Sequence, residues 1–398
     1  MIELHYNFKD LFRATRLGLS LKKIFVMLMS LITGFVLYFI IAYIAYMTSG
    51  ISIADIWNTY KLFPLPVFGV TVLNWYSWLI WYLGAIIFFI TFIFGQTAVS
   101  KITFEQLKGN EFYEMKEATK YSFKFWKSAF LAPVTLIILI AIMILGAFIF
   151  GLIGRIPYFG PLFLIVFLIP ILFGALFTVY LMIVFFVSLF VSPVIAGTSK
   201  SDTFDTLFET FSIVWDQPWR LVIWSGLVFI MSSLGTYVLG SILRYTLELT
   251  RWALSFWNGG SWLKIWTNAF HFLPPVPGYA VFEKFALNIT PFWLNIYNFH
   301  TGNWAINIVS VLLGLLFYVI GFTIVSYFIT SWTAGQTMIY VNLVKIKDDV
   351  NLLEENEEEF DELDNDFEDE DETDTEEDET ENKEETTEED DSNTEEDN

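Results

Sequence analysis

Apolar positions gather into six long blocks along this chain, and polar positions fill the stretches between them. The blocks, at about 24–47, 77–99, 128–151, 161–197, 221–243 and 303–330, contain no Asp, Glu, Lys, Arg or His. A helix needs about 20 predominantly apolar residues to cross a hydrocarbon core roughly 30 Å thick, and every block meets that length. The first is too long for the apolar core of a signal peptide and lacks a small-x-small cleavage site, so it reads as an uncleaved anchor. The pattern predicts an all-α, polytopic transmembrane helical bundle of about six spans. The fourth block is irregular, because Pro170 interrupts the uncharged run from Pro161 to Gly197. Either one long helix bends at Pro170, or a re-entrant half-helix precedes a full span.

The polar stretches carry amphipathic patterns of their own. Phe8, Leu11, Phe12 and Thr15 form a helical stripe opposite Lys9, Arg13 and Arg16. Residues 1–23 therefore read as an amphipathic segment lying at an anionic leaflet. Further on, Phe204, Leu207, Phe208, Phe211, Val214 and Trp215 recur at helical spacing, which gives one apolar face. Asp202, Asp205 and Glu209 fall near the opposite face, and Ser201 is placed to cap the start. Membrane-surface helices normally carry a basic polar face, so an acidic one calls for a partner. Lys116, Lys120 and Lys124 supply it, on a predicted helix from about Phe112 into Trp126. The expectation is that these two helices pack together beneath the bundle, each exposed acid–lysine pair contributing under about 1 kcal/mol. The two stretches look like weak copies of one another, with Trp126-Lys127 and Trp219-Arg220 in matching places.

The long stretch 244–302 carries Trp252, Trp257, Trp262, Trp266 and Trp293. Tryptophan favours the headgroup region, so this stretch is expected to lie along the membrane surface as short amphipathic helices. Small residues at Ala147-x-x-x-Gly151 and Ser331-x-x-x-Gly335 have the spacing that lets helices approach closely inside a bundle.

Charge divides the chain in two. Residues 348–398 hold 31 Asp and Glu against the single Lys383, whereas the 347 residues before them hold 13 acids and 21 Lys or Arg. The net charge of −22 thus combines a body at +8 with a tail at −30. So charged a tail buries too little apolar surface to offset its ordering entropy, and it reads as disordered. Leu352, Leu353, Phe360, Leu363 and Phe367 give its first third the means to dock as a short helix. Its charge repels nucleic acid and favours a basic cytoplasmic protein surface as partner, the protein's own loops included. With six spans, the stretches on one side carry 15 basic groups and those on the other six. The positive-inside bias then places both termini in the cytoplasm. The resulting organisation is an N-terminal segment 1–23, a transmembrane domain 24–347 in contact with the bilayer, and the tail 348–398.

Candidate chemistry is sparse. There is no cysteine, which excludes disulfides, thiolate metal sites and thiol nucleophiles. His5, His271 and His300 have no further ligand at metal-binding spacing, and no nucleotide-binding or hydrolase signature is present. The reading is a protein without cofactor, metal or catalytic residues. Spans free of ionisable groups also count against coupled transport. Unwound backbone at Pro170 would be the place for a transport site. Asn288-Ile289-Thr290 matches a glycosylation sequon, although Pro291 follows it.

Asp202-x-x-Asp205 through Pro218-Trp219-Arg220, with Pro193 upstream, resembles a stretch of uncharacterised polytopic bacterial membrane proteins. Ala118 through Phe130-Leu131-Ala132-Pro133 is similar to an earlier cytoplasmic loop of that family, and Thr337-Met338-Ile339-Tyr340 fits the end of its last span. The likeness covers most of 1–347 in outline and leaves out the tail. It implies a multi-pass protein of the bacterial cytoplasmic membrane in which Asp202, Asp205, Pro218, Trp219 and Arg220 matter, and it implies no activity. The expected function is that of a non-enzymatic scaffold, assembly factor or accessory subunit. The alternative is a transporter or lipid-handling protein with a cavity near the broken fourth span. Substrate, oligomeric state and partner identity are left open by the sequence.

Overall fold

A computed structural model describes residues 6, 8, 10–60, 64–66, 73–271 and 303–354. The chain divides into two units, Met1–Val350 and Asn351–Asn398. Among the described residues there is no strand. A 3-10 turn, Asp10–Arg13, leads into α1 (Ala14–Gly18), α2 (Leu21–Thr48), α3 (Ile53–Tyr60), α4 (Trp75–Lys108) and α5 (Met115–Gly154). Then come α6 (Phe159–Val166), α7 (Leu168–Thr198), α8 (Thr203–Asp216), α9 (Pro218–His271) and α10 (Trp304–Asp348). Six of these, α2, α4, α5, α7, α9 and α10, are long and apolar enough to cross a membrane. The protein is a multi-pass helical membrane protein.

Small residues set how the spans pair. Along the antiparallel α2–α4 seam, Gly34 faces Thr91, Gly84 faces Ile41, and Gly95 faces Ser30 and Met27. At one end of that seam the Ser77 hydroxyl meets those of Thr48 and Ser49 at 2.9 and 2.8 Å. Along α9–α10, Gly335 lies against Val228, and Ser232 donates to the Ser331 hydroxyl at 3.0 Å. The Ser331-x-x-x-Gly335 spacing therefore makes an internal helix contact. Ala147 and Gly151 make none among the described residues, where no atom lies within 4 Å of where a Cβ on Gly151 would point.

Several helices run past the charge-free blocks. α4 continues through Lys101 and Glu105, and α5 is one helix from Met115 to Gly154. No separate lysine-bearing helix precedes that span. Glu114 and Glu117 form a reciprocal capping box at its start, which satisfies two otherwise orphaned amide groups. α9 stays helical to His271, so the tryptophan-rich stretch begins as a continuation of a span. Val228 packs on Gly335 and Trp266 on Phe317, ring centroids 5.1 Å apart. These contacts are about 57 Å apart along a straight α9 but only about 27 Å apart along α10. α9 therefore bends between them, over a range that holds the Gly259–Gly260 pair.

The fourth block is not one helix bent at Pro170 but a short helix, α6, followed by a long one, α7. The break falls at Phe167, between α6 and α7. Pro170 sits in the first turn of α7, where its missing N–H breaks no helical bond. The N-terminal segment also differs from expectation. Leu11 is buried, Phe8 and Phe12 face outward, and Gly18 rests on the backbone of Ser331 in α10. The segment docks on the bundle, because its buried positions meet protein.

Packing is concentrated at one end of the bundle. Here α1, the starts of α2 and α5, and the last turns of α4, α7 and α10 converge. We call it the basic end, after Lys23, Lys101, Lys108, Lys345 and Lys347. Every residue of α10 from Thr333 to Val344 is buried there, whereas most of Trp304–Val309 at its other end is exposed. The expected tail features at Phe360, Leu363 and Phe367 lie outside the described residues, as do His5, His300, Trp293 and the Asn288 sequon.

Candidate functional site at the basic end of the bundle

Three stretches of small and polar residues meet at this end: Gly95–Ser100 of α4, Ser192–Thr198 of α7 and Thr330–Thr337 of α10. The Ser100 hydroxyl ties them together. It hydrogen-bonds the Thr337 hydroxyl at 3.0 Å and donates to the Val194 carbonyl at 3.3 Å. Gly197 makes this approach possible, since a Cβ there would stand 2.6 Å from the Ser100 Cβ and 2.9 Å from the Thr97 carbonyl oxygen. Gln336 in α10 donates to Ser225 of α9 at 3.1 Å. Gln96 Oε1, Ser192 Oγ, Thr330 Oγ1 and Thr333 Oγ1 are buried and make no hydrogen bond to described residues. Buried orphans of this kind cost about 1–3 kcal/mol each.

A charged network lies against this core. Lys101 and Glu105 form an ion pair at 2.7 Å, their side chains 16% and 4% exposed. The Lys101 ammonium also sits 4.7 Å from the centre of the Tyr121 ring, and the Tyr121 hydroxyl donates to the Ala196 carbonyl at 2.8 Å. One ion pair thereby links α4, α5 and α7. Neither Lys101–Glu105 nor the polar core stood out in the pattern of hydrophobic positions. A repeated triplet could have revealed the core: Gly95-Gln96-Thr97 and Gly335-Gln336-Thr337 recur in two helices that meet there.

The sequence singled out α8, and its geometry differs from the expected one. α8 folds back along α7, with the Tyr180 ring tilted against Phe211 and edge-on to Trp215, centroids 6.0 and 5.9 Å apart. Its buried face is Thr206, Leu207, Thr210, Ile213 and Val214. Phe204, Phe208 and Trp215 form a second stripe that is largely exposed. Helical spacing alone merged two neighbouring stripes into one face. The N-cap is Asp202 rather than Ser201, and its side chain makes no capping bond. Asp202 and Asp205 are exposed. Glu209 meets Lys347 at the end of α10, 3.3 Å away, instead of a lysine of α5. Pro218 opens α9 at its first position, where proline suits a helix start. Trp219 is exposed, and the Arg220 guanidinium donates to Gln217 at 3.2 Å.

Lys116, Lys120 and Lys124 are exposed on α5. Lys116 edges a groove walled by α2, α4 and α5. A second groove, of about 620 Å3, is lined by Arg16, Ser20, Lys22, Gln106, Glu111 and Met338. Pro170 lines neither, and it is exposed among apolar neighbours such as Ile169 and Leu172. Just beyond α10, the Lys345 ammonium hydrogen-bonds Asp349 at 2.9 Å and holds its carboxyl below the usual carboxylate range. No group of three or more His, Asp or Glu that could hold a metal occurs among the described residues. Compared with protein-family models, with curated proteins and with solved structures, the chain matches none.

Proposed function

We propose that this protein is a non-enzymatic scaffold, assembly factor or accessory subunit of the bacterial cytoplasmic membrane. Both termini face the cytoplasm, on the side of the basic end. The observation that carries this reading is the outward aromatic stripe of α8, fixed to a densely packed core. Phe208 and Trp215 are 67% and 74% exposed, beside the exposed carboxylates of Asp202 and Asp205. Exposed aromatic residues held on a rigid support are the usual anchors of protein interfaces. The acidic tail adds a second contact for basic cytoplasmic surfaces. A transport cavity at the fourth span finds no support in the setting of Pro170, which faces outward at a helix start.

The test is a photo-crosslinking amino acid at Phe208, and separately at Trp215, in native membranes. A discrete protein adduct that disappears in the Phe204→Ala/Trp219→Ala background supports the reading. Adducts to lipid alone overturn it. For the tail, affinity purification compares the full chain with one ending at Lys347. Identical partner sets would remove the tail from the proposal.

A further inference from the structure

We infer that the groove between α2, α4 and α5 is a binding site for an anionic phospholipid of the surrounding bilayer. One acyl chain lies in the groove and the phosphate lies at Lys116. The groove encloses about 850 Å3, and its walls include Phe25 and Met29 from α2, Phe94 from α4, and Phe123 and Trp126 from α5. All three helices are long and apolar enough to cross a membrane. The groove runs between the charge-free blocks of α2 and α4 and the lysine-bearing first turns of α5, the depth at which hydrocarbon gives way to headgroups. Phe25, Met29 and Phe123 are exposed at its lips.

Charge selects the class of lipid. The groove is apolar along its length, and Lys116 supplies a cation among its lining residues. Lys116, Thr119, Phe123 and Trp126 lie on one face of α5, at i, i+3, i+7 and i+10. Lys120 and Lys127 lie one helical step, i+4, beyond Lys116 and Phe123, so further exposed lysines run beside that face. From Lys116 to Trp126 the groove runs about 15 Å along α5, a depth suited to an acyl chain and not to a headgroup alone. Basic pockets between spanning helices favour anionic headgroups. The face expected to meet the acids of α8 thus has a different use. This inference depends on membrane insertion and not on whether α8 recruits a partner, so either can fail alone.

The test reconstitutes the full chain in nanodiscs of phosphatidylcholine and phosphatidylglycerol at 4:1. After gentle detergent exchange, the lipid retained per chain is counted by native mass spectrometry. Retained phosphatidylglycerol is expected to exceed its share of the bulk at least threefold. Lys116→Glu should return it to the bulk ratio, and Thr119→Trp, which fills the groove, should lower retention of both lipids. Arg155→Glu makes the same charge change at an exposed position near the far end of α5 and should leave the enrichment intact. Bulk-ratio retention by the unmodified chain overturns the proposal. So does enrichment that survives Lys116→Glu, or that falls equally with Arg155→Glu. Circular dichroism and thermal melting of each variant separate loss of lipid from loss of fold.

Discussion

The two ends of this bundle are built from the same helices but by different rules. At the basic end, α10 is surrounded on all sides, and serine, threonine, glutamine and glycine fill the space between helices. At the opposite end α5 exposes Ile138, Ile142, Leu145, Phe148 and Leu152. Gly146 and Gly151 there have no atom of the described residues within reach of a Cβ. Lipid is as apolar as leucine, so large apolar side chains gain little by leaving lipid for protein. Close approach through small residues and hydrogen bonds across helices is what remains to hold spans together. The basic end uses both across α4, α7 and α10. At the other end α5 turns its apolar side chains to lipid, while the α2–α4 pair keeps such contacts through Gly84, Ser77, Thr48 and Ser49.

The largest test of that contrast is the Lys101–Glu105 pair. Lys101→Met leaves Glu105 buried without its partner and should cost about 3–5 kcal/mol. Lys101→Met combined with Glu105→Met should recover most of the loss in a thermal unfolding series. A double variant no more stable than the single would break the idea that the pair is a buried unit. Next comes glycine. Gly197→Val forces α7 away from Ser100 and should cost about 1–3 kcal/mol, as overpacking does. Gly151→Ala, in open surroundings at the other end, should raise stability by about 0.5–1 kcal/mol. Effects of the same sign at both ends would erase the contrast.

Threonines one turn apart on α10 give a finer comparison. Thr337→Val removes the hydrogen bond to Ser100 and should cost about 1 kcal/mol. Thr333→Val removes a buried hydroxyl that has no partner among the described residues, so the melting temperature should stay level or rise. A small loss also belongs to Glu209→Gln, which weakens the half-buried pair with Lys347. A loss of up to about 1 kcal/mol is expected, shrinking as salt is raised. A loss independent of salt would assign Glu209 a packing role instead.

Much of the fold was legible in the sequence, and the reason is solvent. A charge within hydrocarbon is so costly that its absence over 20 residues marks a span, and all six blocks correspond to long helices. The ends of those helices were less legible. α4 and α10 carry Lys101, Glu105, Lys345 and Lys347 because protein and water near the basic end accept charges that lipid rejects. The candidate site was read only in outline. Phe204, Phe208 and Trp215 share helical spacing with Leu207 and Val214, and spacing cannot say which of two adjoining stripes is covered. Lys116 looked like a partner for acids because its charge was visible and the groove beside it was not.

The sequence by itself determined that this chain spans a membrane six times, and which end gathers the positive charge. Both follow from transfer energies that depend on residue type alone. Tertiary structure decided which polar residues became a core, which lysine found which acid, and where a groove opened. Those outcomes depend on how helices distant in the chain approach one another. Ser100, Val194 and Thr337 meet because glycine lets three backbones come close, and no local pattern records that distance.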